Sequence, residues 1–505
     1  MTSSEDFDPG YEPRGGTRRL THRDADWSGL HALVAGLGTS GFAAADALSE
    51  RGAVVTAVSA DETSAIQERA RILEILDVDV HLGPEHLVEV PEGTELVVTS
   101  PGFRPDHPML LAATAAGIPV WGEVELAWRM RAETGAAPWI TITGTNGKTT
   151  TVKMLDSILR AAGLRSTSAG NVGTPLLEAV LHPDPYDVLA VELSSFQLHW
   201  ERSVAPIASA CLNLAPDHLD WHGSMDAYRL AKAKVYAGTK LACVYNVQDP
   251  ATEQMVMDAD VVEGCRAIGF TLGLPGPSML GLVDDVLADR AFVQQRRTSA
   301  AELATLADLQ GDAPSVAPHN VANALAAAAL ARAYGVGPLS VRDGLRAFVP
   351  DPHRIAEVAT VDGVRYIDDS KATNPHAAGA SLSAFEHVVW IAGGLLKGAD
   401  VDPLVESVAG RLRGVVLIGA DRSQIAAALQ RHAPDVPVVD VSDRDTGVMD
   451  LVVERAGDLA QPGDVVLFAP AAASMDMFTN YAERGDAFAK AVQRRAHRHE
   501  GPDAW

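Results

Sequence analysis

The stretch that most restricts this chain is Trp139-Ile-Thr-Ile-Thr-Gly-Thr-Asn-Gly-Lys-Thr-Thr-Thr151. Trp139 to Thr143 is short, apolar and β-branched, the pattern of a buried strand. Gly144-Thr145-Asn146-Gly147 cannot continue that strand. Lys148 then opens a helical pattern through Met154, Leu155, Ile158 and Leu159. A strand, a glycine turn, Gly-Lys-Thr and a helix form the layout of a phosphate-binding loop. Backbone N–H groups converge on an anion there, and the helix N-terminus adds a partial positive charge. Lys148 is expected at the β/γ-phosphates of a nucleotide, and Thr149 at a magnesium ion. The loop is the short Gly-x-x-Gly-Lys-Thr form, because the position five residues before Gly147 is Ile142.

Composition then excludes several partners. The net charge of −25 argues against nucleic acid and anionic membrane. The longest apolar run, around Ala324 to Ala333 and broken by Arg332, is too short to span a bilayer. The N-terminus has no apolar secretory core. Cys211, Cys243 and Cys265 are far apart in sequence, without zinc or disulfide spacing, which points to the cytoplasm. Of 41 Lys and Arg residues only eight are lysines, so arginine is the ordinary cation here. A retained lysine then marks a place that needs a compact ammonium or a primary amine.

In chain order, residues 1–28 read as a polar, disordered tail. Residues 29–130 read as a small parallel α/β domain. In it, Leu33 to Phe42 gives strand, glycine turn and helix, with Gly36, Gly38 and Gly41 close to a dinucleotide fingerprint. The next strand ends in Ser59-Ala60-Asp61-Glu62, which displaces the acid that NAD would need, so a nucleotide diphosphate fits better. Residues 131–350 read as the central phosphate-loop domain. Glu192 closes the strand from Val188, facing either magnesium or solvent. Asp217-His218-Leu-Asp220-Trp-His222 holds either a metal or internal hydrogen bonds. Lys232 and Lys234 lie on a helix from Tyr228 to Val235, by default a solvated face. Residues 245–315 offer only a hairpin across Leu282 to Val293. Pro318-His-Asn320-Val-Ala-Asn323 opens an alanine-rich helix, where Asn320 is a candidate N-cap. Residues 351–505 repeat the doubly wound plan, with polar loops at four strand ends: Asp369-Ser-Lys371-Ala-Thr373-Asn374, Gly393-Gly-Leu-Leu-Lys397, Gly419 and Ala471-Ala-Ala-Ser474-Met-Asp476. The expected class is α/β with three domains: Rossmann-like, central phosphate-loop with a parallel sheet, and Rossmann-like.

Five stretches in this order resemble the Mur ligase family, ATP-dependent amino-acid ligases of peptidoglycan precursor synthesis. They are Thr143 to Thr150, Glu192-Leu-Ser-Ser-Phe-Gln-Leu198, His353-Arg354, Asp369 to Asn374 and Ala473-Ser-Met-Asp476. The resemblance covers residues 30 to 495 and is to members that add D-glutamate. It implies a monomeric cytoplasmic enzyme using ATP and Mg²⁺, with UDP-N-acetylmuramoyl-L-alanine and D-glutamate as substrates. It implies ATP on Gly144, Thr145, Asn146, Gly147, Lys148, Thr149, Thr150, Asn320, Asn323, Arg354 and Asp369. It implies magnesium on Thr149, Glu192, His218 and Lys232, the last as a carbamate. The catalytic set is Lys148, Glu192, His218 and Lys232. Thr39, Ser40, Gly102, Asn171 and Ser194 are implied at the UDP-sugar, and Thr373, Lys397, Ser474 and Tyr481 at the amino acid. Rival readings are a sibling or folylpolyglutamate-type synthetase, an NAD-binding oxidoreductase built on Gly36 to Gly41, and a non-catalytic nucleotide-binding regulator. The oxidoreductase leaves Lys148 idle, and the regulator leaves Lys371 and Lys397 idle.

Overall fold

The structure is a computed structural model that describes residue 17 and residues 19–310, 316–442 and 446–500. Its three sheets fall in two compact units. One holds the described residues up to Leu214 together with Asp226–Phe348, and the other holds Ala215–Met225 and the described residues from Val349.

In the first unit, five parallel strands run in the order Asp79–Leu82, Val54–Ser59, His31–Ala35, Leu96–Thr99 and Val120–Gly122. The strand order reverses beside His31–Ala35, which opens a crevice at that strand's C-terminal end. Gly36 turns there with φ 90°, and Gly41 packs on it so closely that a Cβ would lie 1.7 Å from the Gly36 carbonyl oxygen. No residue but glycine fits that approach. The expected disordered tail over 1–28 does not hold at its end. Leu20 and Trp27 are buried in the core, and the Arg23 N–H donates to the Arg131 carbonyl at 2.9 Å. Residues 1–16 and 18 lie outside the described residues.

The central sheet has nine strands, in the order Ala301–Thr305, Val286–Asp289, Met279–Val283, Arg266–Phe270, Ala242–Asn246, Ala208–Cys211, Trp139–Thr143, Val188–Glu192 and Ser166–Gly170. The expected parallel sheet is parallel only from Ser166–Gly170 to Met279–Val283, and antiparallel beyond. The described residues between 266 and 305 therefore contribute four strands where the sequence offered one hairpin. Short strands with few β-branched residues carry little periodic signal, and pairing to the sheet edge defines them. Helices Lys148–Ala161 and Pro318–Tyr334 cover one face. The run Ala324 to Ala331 is buried, its small side chains letting the helix lie close against the sheet.

This sheet shares a core with the first one. Trp121, Val124 and Trp128 pack in the same apolar cluster as Trp139 and Leu176. Buried Glu125 ties the two sheets, accepting the Arg202 and Ser203 N–H groups, each at 2.8 Å, and the Arg129 Nε at 2.6 Å. The boundary expected near residue 130 is a packed joint inside one unit.

In the second unit, six strands run in the order Ala356–Val361, Val364–Asp368, Val465–Phe468, Val388–Gly393, Leu412–Ile418 and Val438–Asp440. The sequence reading missed Ala356–Val361. It pairs antiparallel with Val364–Asp368 through Asp362-Gly363, both at positive φ, the Asp-Gly turn that two-residue hairpins favour. All other neighbours are parallel. The segment Ala215–Met225, expected in the central domain, groups with this unit, where Asn374 Nδ2 donates to Asp217 Oδ2 at 3.4 Å.

Candidate functional site

The phosphate loop leaves the strand Trp139–Thr143 as the sequence layout requires. Gly144 has φ 152° and Gly147 has φ 84°, so both turns need glycine. Gly147 is also shut in by Asn323, whose Oδ1 would lie 2.4 Å from an added Cβ. The loop is strapped from the neighbouring strand end. Asn213 Oδ1 accepts the Asn146 N–H at 2.8 Å, the Asn213 carbonyl accepts the Thr145 N–H at 3.0 Å, and Asn213 Nδ2 donates to the Asn146 carbonyl at 3.1 Å. Asn213 went unnoticed in the sequence, because only the pairing of the two strands sets its strand end beside the loop. Lys148 Nζ folds over the loop, donating to the carbonyls of Gly144 at 2.8 Å and Thr145 at 2.9 Å. Thr149 and Thr150 are buried in the first turn of the helix.

Lys232 is not on a solvated face. It is 1% exposed, and its Nζ donates to the Gly144 carbonyl at 2.7 Å and to Thr143 Oγ1 at 3.4 Å. Its Nζ also lies 4.8 Å from the Tyr228 ring centre, and the Tyr228 hydroxyl bonds Thr145 Oγ1 at 3.1 Å. The helix Met225–Ala233 buries Tyr228, Ala231 and Lys232 on one side, at helical spacing. A primary amine is thus held under the backbone of the phosphate loop.

Glu192 ends the strand next to Trp139–Thr143, with Ile142 opposite it in register. It is buried rather than solvated. Asn171 Nδ2 donates to Oε1 at 2.9 Å, and Oε2 is buried without a hydrogen-bond partner. An unpaired buried carboxylate oxygen is costly unless a further group meets it. Its hard, anionic oxygen suits a divalent cation. Among the described residues no three His, Cys, Asp or Glu form a ready cage. Magnesium fits such a place, because it keeps several waters and takes few protein ligands. His218 sits in the segment Ala215–Met225 with φ 53°, its ring Nε2 at 3.6 Å from Asp217 Oδ2.

The remaining expected residues separate into two groups. Thr39 and Gly102 are exposed at the crevice of the first sheet, and Arg69 reaches Thr39 Oγ1 at 3.4 Å. Ser40 hydrogen-bonds to Glu123, whose carboxyl is raised by burial above all. Ser194 has a structural part to play, since with Gln197 it forms a reciprocal cap of the helix Ser195–Trp200. Asn320 is not the N-cap of Pro318–Tyr334, since Ala317 holds that position, and Asn320 lies in the first turn.

In the second unit the strand-end loops converge around Arg484, which the sequence reading missed among 33 arginines. Arg484 is buried, donating from Nε to Ser370 Oγ at 3.0 Å, and from its terminal nitrogens to the carbonyls of Ser370 at 2.8 Å and Ala472 at 3.0 Å. Burial lowers its pKa to about 10. It pins the Asp-Ser-Lys loop to the Ala-Ala-Ala-Ser loop. Lys371 Nζ lies 3.8 Å from the Tyr481 ring centre, a cation–π contact. Lys397 takes φ 52° in a glycine turn, and Leu395 and Ala473 exchange backbone hydrogen bonds at 2.9 Å. Ser474 is buried, and Thr373 lies between Ala372 and the capping Asn374.

Asp369 is buried, and that burial raises its carboxyl pKa to about 7, against the Ser381 hydroxyl and the Arg354 charge, which lower it. The folded chain therefore holds a proton between about pH 4 and 7 that the unfolded chain releases. This group's contribution to stability is full below the unfolded pKa and is lost as pH rises through about 7. Asp369→Asn should flatten the fall in stability between those limits, read as urea midpoints at several pH values. An unchanged slope would count against the shift.

Three family models match the chain: the Mur ligase MurD-like N-terminal domain over residues 30–122, the Mur ligase middle domain over 142–331, and the Mur ligase glutamate ligase domain over 353–472. UDP-N-acetylmuramoylalanine--D-glutamate ligase of Streptomyces avermitilis is 61% identical over 468 residues, covering 93% of this chain and 99% of that protein. Among solved structures, UDP-N-acetylmuramate-alanine ligase from Thermotoga maritima matches with a TM-score of 0.55 at 18% identity, over 92% of this chain and 100% of that one. MurF ligase from Thermotoga maritima, solved in complex with ADP, matches with a TM-score of 0.51 at 17% identity, over 93% and 96%. With a family model on each of its three sheets and so similar a relative along nearly its whole length, the chain belongs to the Mur ligase family.

Proposed function

We propose that this chain joins D-glutamate to UDP-N-acetylmuramoyl-L-alanine at the expense of ATP, a cytoplasmic step of peptidoglycan precursor synthesis. The observation that carries the reading is the phosphate loop with a buried amine and a buried, half-paired carboxylate at its base: Lys148, Lys232 and Glu192. The name of the Streptomyces relative supports the choice of D-glutamate.

In this reading the γ-phosphoryl group of ATP passes to the carboxylate of the UDP-muramoyl-alanine. The D-glutamate amine then attacks the acyl phosphate, and phosphate leaves as the amide forms. Charge gathers on phosphate oxygens throughout, so the chain's work is positioning and field. The amides of the Gly144–Gly147 turn and Lys148 hold the phosphates. Thr149, Glu192 and a carbamylated Lys232 would hold magnesium, which when bound neutralises phosphate charge. Asn323, against Gly147, is suited to the nucleotide. The crevice at Gly36, Thr39, Ser40 and Gly102 takes the UDP end. A nucleotide diphosphate suits it better than NAD, because Ser59 is buried at the strand end where NAD needs an acid.

Two carboxylates of D-glutamate call for cations and hydroxyl donors, and Thr373, Lys397, Ser474 and Tyr481 with Lys371 supply them. The test is phosphate release with UDP-N-acetylmuramoyl-L-alanine against a panel of amino acids. D-glutamate is expected to be fastest, and Lys397→Ala should raise its KM by roughly ten- to a hundredfold, as loss of a charged hydrogen bond would, with the KM for ATP nearly unchanged. Faster release with L-alanine, L-lysine or meso-diaminopimelate would overturn the reading.

A further inference from the structure

Two of the three cysteines, far apart in sequence, are neighbours in the structure. The strands Ala242–Asn246 and Arg266–Phe270 are parallel, with Cys243 opposite Ala267. Cys265 lies two residues before Ala267, so its side chain falls on the same face as Cys243, diagonally across the pair. The two sulfurs are 3.8 Å apart. Cys243 is buried and accepts the Ser209 hydroxyl at 3.9 Å, whereas Cys265 is partly open to solvent at the end of a turn. That turn is held by the Cys265 N–H on the Val262 carbonyl at 3.0 Å, and it contains Gly264 at φ 90° with open space around it.

We propose that Cys243 and Cys265 are a reversible oxidative modification site, closing to an intramolecular disulfide when the chain meets a hydroperoxide. The chemistry balances in two steps. The Cys265 thiolate attacks the peroxide O–O bond, becoming a sulfenic acid while the other oxygen leaves as hydroxide or alkoxide. The Cys243 thiol then gives up its proton, its sulfur bonds to the Cys265 sulfur, and water leaves. A partly accessible thiolate beside a resolving thiol is the arrangement that such sites use. The hydrogen bond between the two thiols lowers the Cys265 pKa and, with burial, raises that of Cys243, and Cys265 is also the member that a peroxide can reach from solvent. A disulfide needs the sulfurs about 2 Å apart. Side-chain rotation and a small shift of the turn at Gly264 would close the remaining gap. Cys211 is an internal control: burial pushes its thiol up to about 11, and its sulfur faces the Asn213 carbonyl at 3.9 Å.

The test uses the full chain, reduced and then treated with hydrogen peroxide, followed by thiol counting and peptide mapping without reductant. Two of the three thiols should disappear together, the linked Cys243 and Cys265 peptides should appear in monomeric chain, and dithiothreitol should restore both. In C243S the Cys265 sulfenic acid should persist and be trapped by dimedone. In C265S no thiol should be lost, and because Cys265 is partly open this variant should fold. Oxidation of Cys265 alone in the unsubstituted chain, linkage between chains, or reaction at Cys211 would each overturn the proposal.

Discussion

Lys148→Ala should lower ATP-dependent ligation about a hundredfold or more while the fold survives. The expected loss corresponds to ~3 kcal/mol of transition-state stabilisation, the size of effect that removing one preorganised charge-directed donor produces. The fold should survive because the loop's shape does not depend on this side chain. The positive φ of Gly144 and Gly147 and the three hydrogen bonds from Asn213 hold it. Lys148 itself donates to the Gly144 and Thr145 carbonyls of its own loop, so its removal frees two acceptors there and leaves the straps from Asn213 in place. The check pairs phosphate-release kinetics with a thermal midpoint. Near-normal turnover with an unchanged midpoint would remove Lys148 from the mechanism.

Loss of dissolved carbon dioxide should inactivate the protein, and bicarbonate should restore it. This follows from proposing Lys232 as a carbamate. Addition of CO₂ to the amine releases a proton and leaves one N–H, enough to keep the 2.7 Å hydrogen bond to the Gly144 carbonyl. The new carboxylate then offers anionic oxygens to magnesium, where an ammonium would be repelled. Arginine cannot do this, because its guanidinium stays protonated and is no nucleophile toward CO₂. Lys232→Arg and Lys232→Ala should therefore both fall by about two orders of magnitude, ~3 kcal/mol. Overpacking alone would also hurt Lys232→Arg in so buried a site, which is why the bicarbonate response of the unsubstituted protein is the deciding measurement. Full activity in CO₂-depleted buffer, or strong residual activity in Lys232→Arg, would refute the carbamate.

What the sequence determined by itself was local. Trp139 to Lys148 announced strand, turn and helix because β-branching, glycine and the 3.6-residue period act over a few residues. Gly36 and Gly41 announced a tight turn for the same reason, and the polar loops after Val388 to Ala392 and Val465 to Pro470 marked strand ends. The order of these pieces was enough for an α/β class with three sheets. Tertiary structure decided what depends on residues distant in sequence. Lys232 looked like a surface lysine until the helix Met225–Ala233 turned it under Gly144. Glu192 could face either magnesium or solvent as a strand-end acid, and the fold decided against solvent by burying it with one oxygen unpartnered. Arg484, Asn213 and the meeting of Cys243 with Cys265 have no local signature, since each depends on a partner at least 22 residues away. Of the strands between 266 and 305 only the hairpin near Leu282 was legible; Arg266–Phe270 and Ala301–Thr305 were not, because pairing to a neighbour, more than their own residues, makes them strands.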